Sequence, residues 1–212
     1  MRGLFYPVKD NNPDVQKRGQ VVNHPSHPSK GDHLIQTADF ARRYVAEIFN
    51  AHRVRILELL GLAGRAIALV PIPSSKTTRS ALEHGWNASR LADAIAAGGG
   101  GMVRPCLAWR EHMRSRAEGA EELPAHELAA NIELIERPLP EEALLYVDDL
   151  LTWGNHIAAA DRVLNDGRPS GAFTVATTDA KSGRDCFVTR LRQVIYDATT
   201  EPWDVRVEDK AW

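Results

Sequence analysis

The chain has 212 residues, of which 43% are hydrophobic and 25% are charged, and its formal net charge is −2. These proportions are ordinary for a folded globular protein. The weak charge excludes a chain-wide positive field, so nucleic-acid binding would need a local basic patch. Two cysteines, Cys106 and Cys186, are too few for a disulfide scaffold or a four-thiolate zinc site. We expect both to be buried apolar side chains in a reducing compartment.

The start of the chain indicates where the protein resides. The first ten residues lack the charged and apolar regions of a signal peptide. No apolar run approaches the roughly 18 residues that a membrane-spanning helix needs. We therefore predict a cytoplasmic protein. Residues 1–36 are rich in Pro, Asn, His, Lys and Gly and are predicted to form an irregular segment or hood. Its three histidines are either solvated loop residues or, with a further ligand, part of a metal site; they are His24, His27 and His33.

A helix and a strand are predicted next. Apolar residues at three- and four-residue spacing predict a helix from Thr37 to about Leu60. The continuous apolar run over residues 66–70 predicts a strand covered on both faces, and the prolines of Pro71-Ile72-Pro73 end its pairing. The loop that follows, residues 74–79, is rich in hydroxyls and positive charge. It suits a polyanion, and the alternative is a solvated turn.

The next part of the chain alternates between regular and polar segments. A helix is predicted over residues 87–97 and a strand over residues 102–109. The polar interval that follows, residues 110–130, has few core residues and is predicted to be a lid or binding loop. Within it, Arg114 and Arg116 could reach a pyrophosphate; the alternative is that they are surface charge.

The stretch from Leu144 to His156 is the part of the sequence that says most about function. Its apolar beginning predicts a buried strand that ends in Asp148 and Asp149, and residues 157–164 have helical spacing. In open α/β sheets, ligands bind outside the carboxyl ends of the strands. Loop amides at a helix start also point at an anion. The order of strand, acidic pair, loop and helix therefore predicts a ligand site here.

The last part of the chain is less regular. Residues 172–177 are predicted to form a strand, and residues 187–189 and 194–196 to form shorter strands or a helix. The tail, residues 201–212, carries two tryptophans and is expected to pack on the core or on a partner. We therefore divide the chain into the N-terminal segment, a domain over residues 37–200 and this tail.

The residues between the acidic pair and the following helix suit a phosphate. Thr152 offers a hydroxyl, Gly154 allows close approach to the backbone, and Asn155 is expected to cap the helix. With the two aspartates, this stretch resembles the binding motif of type I phosphoribosyltransferases, which bind phosphoribosyl pyrophosphate (PRPP). In that family, an acidic pair precedes a Thr-Thr-Gly-x-Thr loop that wraps the 5-phosphate. Here Trp153 stands in place of a small residue, and His156 stands in place of the closing hydroxyl residue.

Two further motifs extend the resemblance to residues 66–178. Val70-Pro71-Ile72-Pro73, a basic loop, Gly85-Trp86-Asn87 and an Ala/Leu helix are similar to the amidophosphoribosyltransferase-like ComF family. Members of that family read Val-Pro-Val-Pro, then a basic loop, then Gly-Phe-Asn-Gln. They also carry an Arg-x-Asn element shortly before the acidic strand, and Ala129-Ala130-Asn131 occupies that place without the arginine. The N-terminal cysteine zinc knuckle that many members carry has no counterpart in this sequence.

The resemblance implies an α/β fold, with a central and mainly parallel sheet of about five strands and helices on both faces. It implies PRPP with Mg²⁺ as the ligand. Asp148 and Asp149 would be the catalytic pair, accepting the ribose hydroxyls and holding Mg²⁺ through ligand and water. Residues 110–130 would close over the site. The other implied contacts are Thr152, Trp153, Gly154, Asn155 and His156 for the 5-phosphate, and Ser74, Ser75 and Lys76, joined by Arg114 and Arg116, for the pyrophosphate.

Three functional hypotheses stay open. The first is an enzyme that transfers phosphoribose to a base or amine. The second is a non-catalytic protein of the same fold that binds PRPP or a nucleotide and reports it to a protein partner; ComF-like proteins are linked to natural transformation, where they are thought to act with DNA-handling proteins. The third is a nucleic-acid-binding accessory protein, which net acidity and the lack of a recognised motif disfavour. No membrane partner is expected, and the oligomeric state is left open, although proteins that this chain resembles often pair as homodimers. The third hypothesis rests on Arg42, Arg43, Arg53 and Arg55.

Overall fold

The computed structural model describes residues 45–82, 85–113, 123–151, 154–177, 192–197, 199 and 203–209. Helices and strands alternate along most of this chain. Helix α1 is described over residues 45–51. The other elements are α2 Arg53–Leu59, β1 Ala66–Pro71, a 3-10 turn Arg79–Ala81, α3 Asn87–Ala97, β2 Met102–Val103, β3 Leu107–Trp109, α4 Ala125–Asn131, β4 Ile132–Leu134, β5 Glu142–Leu151, α5 Asn155–Leu164, β6 Ser170–Thr177, β7 Arg192–Asp197 and β8 Asp204–Asp209.

A parallel sheet forms the centre of the fold. Its four strands lie in the order β2-β1-β5-β6, and every neighbouring pair is parallel. Leu69 is opposite Leu145 between β1 and β5, and Tyr146 is opposite Ala172 between β5 and β6. The predicted α/β class is confirmed, with four strands in the described sheet where about five were expected. Two antiparallel pairs accompany it, β3 with β4 and β7 with β8.

Both faces of the sheet are covered, as the uninterrupted apolar strands predict. Side chains alternate between the faces along a strand. In β1, Ala68 and Val70 belong to a buried cluster that also contains residues of α5 and β3. Ile67 and Leu69 belong to a second cluster, with α3 and α1. The sheet therefore has a core on each side, which is the arrangement expected of buried parallel strands.

The chain leaves the two central strands in opposite directions. From β1 it passes through α3 to β2 on one side, and from β5 it passes through α5 to β6 on the other. The strand order thus reverses between β1 and β5. A crevice outside the carboxyl ends of the strands forms at such a reversal and is where ligands bind in open α/β sheets. The fold therefore places the carboxyl ends of β1 and β5 at the edge where such ligands bind.

Several sequence predictions need local corrections. The helix predicted to end near Leu60 is present from residue 45, with a break at His52, where φ is −111° and ψ is 13°. The single strand expected over residues 102–109 is divided into β2 and β3. Pro105 has no N–H to continue the pairing, and the Cys106 amide instead donates to the Arg104 carbonyl at 2.8 Å.

The second half of the chain also differs in two places. The polar interval expected to be a loop contains α4, which buries Ala125 and Leu128 and packs against α5. So short a helix needs only two buried side chains, too few to give a clear apolar period. The segment assigned to a tail contains β8, whose Val207 is opposite Val194 of β7, so this hairpin crosses residue 200. The residue ranges 1–44 and 178–191 lie outside the described residues.

None of the helices in the part of the chain that the structure describes is long and apolar enough to cross a membrane.

Cys106 gives the fold a predicted response to alkaline pH. The thiol is buried, and desolvation raises its pKa to about 12, against about 8.5 in an unfolded chain. The neutral thiol thus stabilises the fold below about pH 8.5, and this contribution is lost as the pH rises towards 12. We expect the free energy of unfolding to fall by up to about 1.4 kcal/mol per pH unit in that window. Urea titrations at several pH values measure this.

Cys106→Ala is the matched variant, because it keeps a small apolar side chain without the ionisable group. The difference in stability between the wild type and this variant should shrink as the pH rises from 8.5. Parallel pH profiles for the two proteins would contradict the assignment to Cys106.

Candidate functional site

The loop after β1 forms one side of the site. Pairing between β1 and β5 extends to the Ile72 amide, which donates to the Val147 carbonyl at 2.9 Å. The chain then turns through residues 74–77. The Ser74 hydroxyl lies 2.8 Å from that of Thr77, and the Thr77 amide donates to the Ser74 carbonyl at 2.8 Å. Ser74 and Lys76 are exposed and Ser75 is half-buried. This turn presents hydroxyls and a cation at the carboxyl edge of the sheet.

The acidic pair forms the other side. Asp148 and Asp149 are half-buried, and the Asp149 amide donates to Asp148 Oδ1 at 2.8 Å. The strand does not end at these residues but continues to Leu151, because β5 pairs with β6 up to that point. Adjacent residues of a strand face opposite sides, so the two carboxylates point towards different faces of the sheet. The pair therefore offers acceptors in two directions.

Asn87 joins the two sides of the site. It is the first residue of α3, and its Nδ2 donates to Asp149 Oδ2 at 2.9 Å. The bond fixes the Asp149 carboxylate against the start of the helix that follows β1. The sequence indicated Asn87 only as part of a motif and did not indicate its contact with the acidic pair, which lies 62 residues away.

The start of α5 completes the described part of the site. Gly154 precedes the helix with φ 81° and ψ −1°, a left-handed conformation that glycine adopts without strain. The prediction that Asn155 caps this helix was wrong: no side chain caps it, and Asn155 Nδ2 instead donates to the Leu123 carbonyl at 3.2 Å. Asn155 thus ties α5 to the segment before α4. His156, in the first turn, is exposed.

Trp109 lies between the β1 loop and α5. Its indole Nε1 donates to the Ser74 carbonyl at 2.8 Å, and its backbone amide donates to the Thr77 carbonyl at 2.9 Å. Its ring lies 6.0 Å from that of His156, between centroids, at an interplanar angle of 66°. The side chain is buried. Sequence reasoning assigned Trp109 to a strand and missed these contacts, because no local pattern distinguishes them from ordinary core packing.

The structure brings several predicted site residues to one edge of the sheet. Asp149 is linked to the helix after β1 through Asn87, and His156 is linked to Ser74 through Trp109. Ser75 and Lys76 lie in the loop after β1, Asp148 lies near the carboxyl end of β5, and Gly154 and Asn155 lie at the start of α5. The remaining predicted contacts lie outside the described residues; they are Thr152, Trp153, Arg114 and Arg116.

The described residues could hold Mg²⁺ only together with ligand oxygens and water. Within the described ranges, no group of three or more His, Cys, Asp and Glu residues could hold a metal ion. Asp148 and Asp149 are adjacent carboxylates, and Mg²⁺ commonly keeps several waters while binding one or two carboxylates and substrate oxygens. Because the two carboxylates point towards different faces of the sheet, one could accept from ligand hydroxyls while the other meets the water shell of Mg²⁺ that arrives with a phosphorylated ligand. Phosphate oxygens would meet the hydroxyls and Lys76, and sugar hydroxyls would donate to the carboxylates.

Comparison with known proteins adds no family to this geometry. A scan against models of protein families finds no match to the chain, and a search among curated proteins likewise finds no similar sequence.

Proposed function

We propose that this chain is a phosphoribosyltransferase-like protein that binds PRPP with Mg²⁺, or a related ribose-phosphate nucleotide. The ligand occupies the crevice between the carboxyl ends of β1 and β5. The proposal includes membership of the ComF-like branch of the type I phosphoribosyltransferases and a cytoplasmic location. Its support is the order of the sequence motifs together with the geometry of the two loops.

One observation carries the proposal: the hydrogen bond from Asn87 to Asp149 at the reversal of strand order. It joins the acidic end of β5 to the helix that follows the hydroxyl-rich loop after β1. A ligand with a diol between two phosphate groups matches this arrangement, because it needs carboxylate acceptors flanked by two anion-binding loops. PRPP has this composition, with a ribose that carries a 5-phosphate and a 1-pyrophosphate.

In the transfer reaction, the bond between the ribose anomeric carbon and pyrophosphate breaks. A bond forms from that carbon to a nitrogen of a base or amine, which loses its proton to solvent. Asp149, held by Asn87, orients the ribose hydroxyls, and Asp148 would meet the water shell of Mg²⁺. Ser74, Ser75 and Lys76 bind the departing pyrophosphate. When bound, Mg²⁺ would neutralise part of the negative charge on the pyrophosphate. The contribution of the protein is thus positioning and stabilisation of developing charge.

A non-catalytic role is the second candidate. Two observations favour it: Asp149 has one carboxylate oxygen bonded to Asn87, and an exposed histidine occupies the first turn of α5. A protein of this kind would bind PRPP or a nucleotide without transfer and report it to a protein partner, such as a component of DNA uptake or processing. Direct nucleic-acid binding is not part of either proposal, and either form could act as a homodimer.

Titration calorimetry tests both candidates together. We expect heat of binding when PRPP is titrated at millimolar concentration into the full chain with Mg²⁺. Absence of heat with PRPP and with a panel of ribose-phosphate nucleotides would exclude both candidates. If binding occurs, pyrophosphate release measured across a panel of bases and amines separates them: release with one acceptor supports the enzyme, and binding without release supports the second candidate.

A further inference from the structure

Two buried indole side chains, those of Trp86 and Trp109, donate hydrogen bonds to backbone carbonyls of the loop after β1. Trp86 Nε1 donates to the Ile72 carbonyl at 2.7 Å, and Trp109 Nε1 donates to the Ser74 carbonyl at 2.8 Å. The exposed fractions of the two residues are 8% and 1%. The Trp86 hydrogen bond is buried, whereas the Trp109 hydrogen bond is partly buried, because Ser74 lies at the exposed surface of the loop. The two contacts have the same donor group and nearly the same length, but they hold different peptide units.

The two peptide units differ in what they can offer a ligand. The unit between Ile72 and Pro73 has no N–H, because proline lacks one. The unit between Ser74 and Ser75 does have an N–H. A peptide unit is planar, so fixing the direction of its carbonyl also fixes the direction of its N–H. Trp109 therefore orients a backbone donor, whereas Trp86 does not.

The Ser75 amide is available at this position. Among the described residues it donates no hydrogen bond, while the Ser75 carbonyl accepts one from the Met113 amide at 2.9 Å. The Ser74 carbonyl accepts two hydrogen bonds, one from the Trp109 indole and one from the Thr77 amide. The next side chain is Lys76, a cation at the exposed surface of the turn. An oriented amide beside a positive charge suits an anionic oxygen.

We infer that Trp109 is a positioning residue for pyrophosphate. It does not touch the ligand; its indole N–H holds the Ser74 carbonyl and so aims the Ser75 amide at a pyrophosphate oxygen. This inference rests on the proposed function, which places the pyrophosphate group at this loop. The contact of the Trp109 ring with His156 also ties the pyrophosphate side of the site to α5.

The test compares two Trp→Phe variants of the full chain by titration calorimetry with Mg²⁺ and pyrophosphate. Trp109→Phe removes the donor to Ser74 and keeps an aromatic ring. We expect its affinity for pyrophosphate to fall about three- to tenfold, the worth of one hydrogen bond. Trp86→Phe is the matched control, because it removes the same kind of indole donor, but one that holds the peptide unit without an N–H. Its affinity should stay within about twofold of the wild type.

The outcomes separate the inference from the proposed function. Equal losses in the two variants, or no loss in Trp109→Phe, would overturn the role of Trp109. Failure of the wild type to bind PRPP or any of the ribose-phosphate nucleotides would remove the proposed function, and the inference with it. If Trp109→Phe does not fold, the indole ¹⁵N–¹H signals of the wild type decide: added Mg²⁺-pyrophosphate should shift the Trp109 signal more than that of Trp86, and an unmoved Trp109 signal would overturn the inference.

Discussion

Replacing Asp149 with asparagine is expected to weaken the binding of Mg²⁺-PRPP about ten- to a hundredfold. A hydrogen bond to a charged acceptor contributes about 1.5–3 kcal/mol, and this variant replaces the charged acceptor with a neutral one. The fold should be retained, because the asparagine side chain has the same shape and its amide oxygen can still accept from Asn87. Calorimetry with PRPP at fixed Mg²⁺ measures the change directly.

The control for this prediction is Asp93→Asn. Asp93 is exposed on α3, the helix that begins with Asn87, so the variant makes the same chemical change and the same change in net charge outside the site. Its affinity for PRPP should equal that of the wild type. An unaltered affinity in Asp149→Asn would tell against the ribose contact, and an equal loss in both variants would indicate a general effect of charge.

The central elements were predictable because their sequence signals are local. The run Ala66–Val70 is apolar without interruption, as a strand buried on both faces must be. Pairing continues through Pro71 to the Ile72 amide, two residues further than predicted, and Pro73 follows the last paired residue. Helix α3 has the bounds that its apolar spacing predicts, residues 87–97. These signals lie within a few residues of one another, so tertiary contacts were not needed to interpret them.

The elements that escaped prediction depend on distant partners. Strand β4 has only three residues, and it is a strand because it pairs with β3. Glu142 is another example. This charged residue begins β5 and is only 5% exposed, and its carboxylate is paired with Arg104, whose Nη2 donates to Glu142 Oε1 at 2.9 Å. Neither feature has a periodic signature, since the partners are brought together only by the fold.

The candidate site shows the same difference between local sequence signals and contacts with distant residues. The local composition of the sequence predicted Asp148, Asp149 and the hydroxyl-rich turn as candidate ligand contacts. The residues that orient them were missed, because Asn87 is 62 residues from Asp149 and Trp109 is 35 residues from Ser74. A sequence pattern can indicate which groups meet a ligand, but the contacts that aim those groups come from other elements of the fold.

Truncation of Leu145 should have the largest effect on stability. Leu145 is fully buried in β5, between Leu69 of β1 and Gly171 of β6, and belongs to the cluster that contains Leu91 and Ile95 of α3. Leu145→Ala removes apolar contacts and leaves a cavity that strands on either side prevent from closing. We expect the free energy of unfolding to fall by about 3 kcal/mol. Urea denaturation followed by far-UV circular dichroism measures the loss.

Leu139→Ala provides the comparison, because Leu139 is 50% exposed and precedes the same strand. Its truncation should cost less than about 0.5 kcal/mol, so similar losses in the two variants would contradict the buried parallel sheet. The folded fraction of Leu145→Ala should still bind PRPP with the wild-type affinity. Leu145 lies below the carboxyl edge, and the contacts that orient the acidic pair come from Asn87 rather than from this side chain. A selective loss of PRPP affinity would mean that packing inside the sheet also sets the position of the acidic pair.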